Sequence, residues 1–288
     1  MNALLLSRRS VLAAGTAVLA SETFALDAPG AIAAYERTTG GRVGLLATNV
    51  ASGARIAWRA SERFAMCSTF KASLAALVLA RVDAGKDRLD RSVPFGRADL
   101  LAYAPVARQH MQSGAMTIAT MCQGAVELSD NTCANLLLRE VGGPPALTRF
   151  WRRLGDADSR LDHDEPMLNR MKAGDPRDTT TPAAMAQTVR KLALGDALGP
   201  ASRSRLVDWL VACQTGKNRL RAGLPRTWRI GDKTGNNGAD ASGDLAVAWP
   251  ARSGPIVVCA YVQGGKPTPD QQDTLFAAIG TLVAQQLA

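Results

Sequence analysis

The stretch "MCSTFKAS", residues 66–73, sets a serine three residues ahead of a lysine at the point where a helical pattern begins. Residues at i and i+3 share one helical face, so Lys71 in a first turn can reach back toward the Ser68 hydroxyl, a nucleophile beside a base. The same residues also make an ordinary helix start, with Ser68 or Thr69 as cap and Lys71 in water. The surrounding chain decides between the two. Upstream, "GRVGLLATNV" (41–50) and "ARIAWRA" (54–60), joined by "ASG", read as a two-stranded hairpin after a short helix. From Ser68 to about Asp208 apolar residues recur every three or four positions, in "KASLAALVLARV" (71–82), "TIATMCQGAVEL" (117–128), "NTCANLLLREV" (131–141), "PPALTRFWRRL" (144–154), "TPAAMAQTVRKLAL" (181–194) and "PASRSRLVDWLV" (200–211). Strand patterns return in "RTWRIGDKTG" (226–235), "GDLAVAWPA" (243–251) and "PIVVCAYVQG" (255–264), and "QQDTLFAAIGTLVAQQLA" (271–288) closes the chain as a helix. The expected fold is α/β plus all-α. An antiparallel sheet flanked by helices is built from both chain ends (26–61 and 212–288), with a helical domain (62–211) inserted between them.

With 288 residues, 47% of them hydrophobic, the chain can bury a full core. Its net charge of +9 is spread over scattered arginines with few aromatics, which argues against a nucleic-acid partner and suits small anionic substrates. At the N-terminus, Arg8 and Arg9 precede an apolar run over 11–20, the pattern of a twin-arginine export signal within residues 1–25. The run is too short to span a bilayer, so the exported protein is expected in the periplasm, free of the membrane and monomeric. Five cysteines are widely spaced and lack the spacing of a zinc site, and they are expected to pack as small hydrophobes. No metal and no cofactor is implied. His110 and His163 are the only histidines and no G-x-S-x-G occurs, which leaves a Ser-His-Asp hydrolase little to build on. The segment "SRLDHDEPMLNRMKAGDPRDTT" (159–180) has no period and is rich in charge, Pro and Gly, as a long functional loop would be.

Downstream of "CSTFK" come "SDN" at 129–131, "DEPMLN" in the long loop and "KTG" at 233–235 after a strand. Each is weak alone, yet in this order and these contexts the chain from about residue 30 onward resembles a class A serine β-lactamase. "RFAMCSTFKASLAA", "GGPPALTRF", "GDPRDTTTPAAMA" and "LRAGLPRTWRIGDKTG" are most similar to the chromosomal, L2-type enzymes of Gram-negative bacteria. The resemblance implies β-lactam substrates, no cofactor, and the following roles. Ser68 is the nucleophile, and either Lys71 or Glu165, the latter through a water, takes its proton. Lys71 can do so only with a pKa well below the ordinary value of about 10.4, which burial beside the cation Lys233 would favour. The N–H groups of Ser68 and Asn236 would form an oxyanion hole, and Ser129, fixed by Lys233, would pass a proton to the lactam nitrogen. Asn131 would hold the substrate's side-chain amide, Thr234 and Gly235 would bind substrate, and Lys233 with Thr234 and Arg219 would meet its carboxylate. Glu165 and Asn169 would grip the water that hydrolyses the acyl-enzyme. Tyr103 matches an aromatic at the cleft mouth.

The sequence also departs from its relatives. The position two before Glu165, an arginine in many class A enzymes, is His163, although its partner Asp178 is kept; the loop is expected to be looser unless Arg160 or Arg177 holds it. Cys67 has no disulfide partner, because Asn237 stands where carbapenem-hydrolysing relatives carry the second cysteine. Cys122 likewise lacks the partner it has in some relatives, because that position, seven after Ser68, is Ala75. The arginine that many relatives place on the strand after "KTG" falls at Ser242, and Arg219 stands where some supply that guanidinium instead. The alternatives are a penicillin-binding D,D-peptidase, which would lack the Glu165 and Asn169 pair, and a sensor that is acylated without turnover.

Overall fold

The computed structural model describes residues 25–26, 30–170 and 174–288, so the export-signal reading lies outside the described residues except at residue 25. In chain order the strands are β1 (Ala25–Leu26), β2 (Arg42–Asn49), β3 (Arg55–Trp58), β4 (Phe64–Ala65), β5 (Ser92–Pro94), β6 (Ala115–Thr117), β7 (Thr179–Thr180), β8 (Arg229–Asn236), β9 (Ala241–Trp249) and β10 (Ile256–Gln263). The helices are α1 (Ala31–Thr39), α2 (Phe70–Asp83), α3 (Pro105–Gln109), α4 (Ile118–Glu127), α5 (Asn131–Val141), α6 (Pro144–Arg153), α7 (Pro182–Ala193), α8 (Pro200–Val211), α9 (Leu220–Gly223) and α10 (Pro269–Leu287).

The main sheet runs β1-β3-β2-β10-β9-β8 and is antiparallel except for β1 beside β3. Both chain ends thus build one sheet, and β2 meets β10 across more than two hundred residues of sequence, with Leu46 opposite Cys259. The limit drawn at residue 25 falls inside β1, whose Ala25 pairs with Arg55.

The period of two along β10 explains why both faces of the sheet are covered. Val258, Ala260 and Val262 pack with Ile32, Val43, Phe276 and Ile279 under α1 and α10. Val257, Cys259 and Tyr261 turn the other way and join the larger core of α2 and the helices around it. Within that core α2 is apolar all round, with Leu74, Leu77, Val78 and Leu79 buried together with Ala75 and Ala76. A helix of this kind belongs in the middle of a protein. It carries the Ser68 turn at its N-terminal end.

All the helices and long strands expected from periodicity are present, and their caps follow from the sequence. Thr117, Asp130, Thr181 and Thr268 each accept a backbone N–H in the first turn of their helix. Periodicity does not reveal the two small antiparallel pairs, β5 with β6 and β4 with β7, because two or three residues carry no alternation. The second pair matters for function: it ties the end of the 159–180 loop to the segment entering the Ser68 turn, with Phe64 opposite Thr180.

All five cysteines lie buried and unbridged. Burial pushes the Cys67 thiol up to about 12, so it stays protonated and unreactive at neutral pH. Thiol titration of the denatured, unreduced protein should therefore count five thiols per chain, and a count of three would reveal a disulfide that this packing does not contain.

Candidate active site

The cleft lies where β8, the start of α2, the loop before α5 and the 159–180 loop meet. Close approach of β8 to the Ser68 turn requires Gly235: a Cβ there would stand 2.7 Å from the Ser68 nitrogen and 2.9 Å from that of Thr69. The glycine of "KTG" is therefore a packing requirement, and it brings the strand edge against the backbone of the nucleophile turn. Cys67, with φ 44°, and Ser129, with φ 58°, hold left-handed backbone that non-glycine residues rarely adopt, and both adjoin the site.

The cleft encloses about 420 Å³ and is lined by Ser68, Tyr103, Ser129, Asn131, Glu165, Asn169, Arg219, Thr234, Gly235 and Asn236, all singled out from sequence, together with Thr215, which was not. The two remaining candidates, Lys71 and Lys233, lie beneath this surface with no exposure at all. Tyr103 stands half exposed at the edge.

Ser68 Oγ donates to Glu165 Oε1 at 3.0 Å. Lys71 Nζ lies 3.1 Å from the same Oε1, and donates to the Ser129 carbonyl at 2.9 Å, to Asn131 Oδ1 at 2.5 Å and to Ser129 Oγ at 3.4 Å. The expected reach of Lys71 back to the Ser68 hydroxyl is thus replaced: the ammonium turns to stronger acceptors and the hydroxyl turns to the carboxylate. Burial holds the Lys71 pKa below the ordinary lysine value, against the nearby Glu165 charge and hydrogen bond, which pull it up. Burial, and not the neighbouring Lys233, leads this shift. Lys233 Nζ donates to Ser129 Oγ at 3.0 Å and to the Thr234 carbonyl at 2.7 Å. Its pKa falls to about 8, first through burial and then through the Lys71 charge.

Glu165 is held on every side. Asn169 Nδ2 donates to Oε2 at 2.7 Å, while Asn135 accepts the Glu165 N–H at 2.9 Å and donates to its carbonyl at 2.8 Å. Asn169 Oδ1 is buried without a hydrogen-bond partner among the described residues. Asn135 was not anticipated, although it stands four residues after Asn131 on the same helical face, a spacing that could have pointed to it. Asp130 was known only as the middle of "SDN". Its Oδ1 caps α5 at Cys133 N and its Oδ2 takes the N–H groups of Val106 and Ala107, which locks the loop carrying Ser129.

On the opposite side Arg219 is aimed by its neighbours. Nε donates to Asp273 Oδ1 at 3.0 Å, Nη1 donates to the carbonyls of Gly235 and Gly243, each at 3.0 Å, and the guanidinium lies over the Phe276 ring. Nη2 makes no hydrogen bond among the described residues, and Arg219 lines the cleft. Ser242 instead turns its hydroxyl to the Gly235 carbonyl at 3.1 Å. Thr215 Oγ1 and Thr234 Oγ1 share a hydrogen bond of 2.6 Å, which explains why Thr215 joins the lining.

In the loop, His163 Nδ1 stands 2.6 Å from Asp178 Oδ2. Arg160 pairs with Asp162 and Arg177 with Asp175, so neither arginine replaces the one missing at position 163. Among the described residues no group of three or more His, Cys, Asp or Glu side chains is arranged to hold a metal ion.

A sheet built from both chain ends, a helical layer, and a serine, two lysines and a glutamate in one cleft define a serine hydrolase of the β-lactamase and penicillin-binding type. Comparison with known proteins goes further. A family model described as the β-lactamase enzyme family matches residues 30–287. β-Lactamase L2 of Stenotrophomonas maltophilia is 49% identical over 268 residues, spanning 93% of this chain and 88% of the relative. β-Lactamase Toho-1 of Escherichia coli is 43% identical over 250 residues, 87% and 86% of the two chains. Among solved structures, an ancestral class A β-lactamase is similar with a TM-score of 0.85 at 56% identity, over 88% of this chain and 97% of that one. A β-lactamase from Xanthomonas campestris pv. campestris gives 0.87 at 47% identity, over 90% and 96%. The chain belongs to the β-lactamase enzyme family, among the class A serine enzymes.

The lowered Lys233 pKa sets a pH dependence. The ammonium that holds Ser129 Oγ is present below about pH 8 and is lost as pH rises through that value. With an anionic penicillin as substrate, kcat/KM should fall on the alkaline side from about pH 8. In Lys233→Arg, whose guanidinium stays charged, the fall should move to higher pH. Identical alkaline limbs in the two proteins would exclude Lys233 as the titrating group.

Proposed function

We propose that this class A enzyme opens the β-lactam ring of penicillins and cephalosporins through an acyl-enzyme on Ser68, which water activated by Glu165 then hydrolyses. The observation that carries the reading is the unbroken set of contacts from Ser68 Oγ through Glu165 Oε1 and Lys71 Nζ to Ser129 Oγ. It supplies a route for one proton. Ser68 Oγ gives its proton to Glu165 as the Oγ–C bond forms at the lactam carbonyl. Lys71 passes a proton through Ser129 Oγ to the lactam nitrogen as the C–N bond breaks, and Glu165 returns its proton to Lys71. The geometry favours Glu165 over Lys71 as the first acceptor, because the serine hydroxyl already donates to it. The N–H groups of Ser68 and Asn236, brought together by the Gly235 approach, receive the developing oxyanion. Asn131 and Tyr103 receive the acylamide side chain, and Lys233, Thr234 and Arg219 receive the carboxylate.

For the second half, Asn169 Oδ1, a buried acceptor, and the Glu165 carboxylate can hold one water between them. Glu165 takes its proton, the oxygen attacks the ester carbon, and Ser68 Oγ leaves with the proton that Glu165 returns. Asn135 matters indirectly by fixing the backbone that presents Glu165. This pair is what separates a lactamase from a D,D-peptidase or an acylated sensor.

We also place the enzyme in the periplasm as a monomer, exported by the twin-arginine signal in residues 1–25. Among the described residues no helix is long and apolar enough to cross a membrane. In the same enzyme the α/β part would comprise residues 26–61 and 212–288 and the helical part residues 62–211.

In Glu165→Ala acylation should slow but continue, with Lys71 left as the proton acceptor for Ser68, while deacylation, which has no other base to hold its water, should slow by about 10² to 10⁴ beyond that, the usual contribution of a positioned base. Intact-protein mass spectrometry on incubation with a penicillin should then show a lasting adduct on Ser68; normal turnover by the variant would remove Glu165 from the mechanism. In Arg219→Ala the loss of one charge-assisted contact, worth about 1.5 to 3 kcal/mol, should raise KM for a penicillin far more than it lowers kcat. Unchanged steady-state constants would reduce Arg219 to a structural residue and leave another cation, such as Lys217 or Arg221, to bind the carboxylate.

A further inference from the structure

A second concavity, larger than the catalytic cleft at about 620 Å³, lies between the C-terminal half of α2, the end of α5, the length of α6 and the segment before α8. It is separate from the site described above. From Ser68 to Ala80, which borders it, α2 advances about 18 Å, and the two cavities share no lining residue.

Its chemistry is divided between floor and rim. Leu77 and Phe150 form an apolar floor, and Arg81, Lys86, Arg149 and Arg153 stand around it, with no carboxylate in the lining. The cations come from three segments, and their usual partners are missing. Lys86, Arg149 and Arg153 make no ion pair and no side-chain hydrogen bond to a polar atom among the described residues; Arg153 only covers the Phe150 ring, at 5.5 Å. The nearest carboxylate to Arg81 is that of Asp87 at 3.9 Å, and its oxygens are already taken by Arg91 at 2.8 and 3.0 Å. Arg81 Nε is buried with no hydrogen-bond partner among the described residues. A buried donor without an acceptor is costly, and cations converging on a concave apolar wall focus a positive field there.

We propose that this groove is a binding site for an amphipathic monoanion, a long-chain carboxylate whose hydrocarbon body covers Leu77 and Phe150 while its head is held by Arg81, Arg149 and Arg153. The volume falls in the range of small-molecule sites, and guanidinium groups pair with carboxylates in a planar, two-bonded geometry that gives direction as well as affinity. An apolar ligand without charge leaves the rim cations without an anion, and a small anion without a tail leaves the floor wet. The fit therefore asks for both parts in one molecule.

Calorimetric titration of the full enzyme with dodecanoate below its micelle concentration tests this. The expected result is one saturable site, with affinity lowered at least tenfold in Arg149→Glu/Arg153→Glu and unchanged in Arg219→Ala. Hydrolysis of a chromogenic cephalosporin should be the same in Arg149→Glu/Arg153→Glu as in the parent, which shows that the variant is folded. Dodecyl maltoside, with the same tail and no charge, and acetate, with the same head and no tail, should each bind at least tenfold more weakly. Equal binding of dodecyl maltoside would overturn the proposal in favour of a plain apolar groove, and equal binding of acetate in favour of an unspecific basic surface. It would fall equally if no saturable heat were seen, if the charge reversal left the affinity intact, or if Arg219→Ala abolished binding and so placed the ligand in the catalytic cleft.

Discussion

The structure around the cleft is organised by one buried charge. Lys71 Nζ has no exposed surface, and an ammonium removed from water costs several kcal/mol unless its protons find acceptors. Those acceptors come from different parts of the chain: the Ser129 carbonyl before α5, Asn131 in the first turn of α5, and Glu165 in the loop more than ninety residues beyond. Each acceptor is fixed in turn, Ser129 and Asn131 by Asp130 and Glu165 by Asn135 and Asn169. The long loop, which has no regular core of its own, thus takes its shape from the need to deliver a carboxylate to Lys71. The buried pair is thus a local condition for the fold of the loop, and removal of either partner leaves the other buried and uncompensated.

A second buried charge balances the opposite wall. Asp232 on β8 is fully buried, paired with Arg221, and packed so closely that a Cβ at Gly216 would overlap its carboxylate. Asp244, its neighbour on β9, is pushed well above the usual carboxylate range, first by burial and then by the Asp232 charge, and accepts the Leu220 N–H at 3.1 Å. That bond anchors the turn that starts α9 directly beside Arg219. The C-terminal helix contributes Asp273 and Phe276 to the same guanidinium. The Arg219 side of the cleft therefore rests on strands and a helix from the chain's last seventy residues, just as the Ser68 side rests on its middle.

What was legible in the sequence follows from this division. Helices such as α2 and α5 and strands such as β10 announce themselves, because a long element buried on one or both faces imposes a period on its apolar residues. The candidate site side chains were legible because each sits in a short motif whose chemistry is local: Ser68 with Lys71, Ser129 with Asn131, Glu165 with Asn169, and Lys233 with Gly235. Contacts between motifs were not legible. Nothing in "KASL" says that the ammonium prefers Asn131 and Glu165 to Ser68, since that choice depends on acceptors sixty and ninety-four residues away. Thr215, Asn135 and Asp273 escaped for the same reason, since each acts by touching a residue that carries a motif while standing outside any motif itself. The strand pair β4 and β7 escaped because two residues have no measurable period.

The 159–180 loop shows how a departure in sequence can be smaller in structure than it looks on paper. With His163 in place of a guanidinium, the side chain at this position has one ring nitrogen at 2.6 Å from Asp178, where an arginine offers a two-bonded fork. Asp178, however, is not held by that side chain alone. Its Oδ1 also accepts the backbone N–H groups of Asp162 at 2.7 Å and His163 at 2.9 Å, and these donors are present whichever residue stands at 163. The buried carboxylate thus closes the loop mainly through main-chain donors, and Asp178 itself holds left-handed backbone at φ 55°, a conformation kept only where the surroundings fix it. Loop closure here is a property of the aspartate and the turn that wraps it. The residue at 163 adds one contact to a closure that main-chain donors already make, and the Asn135 and Asn169 contacts that hold Glu165 do not pass through it.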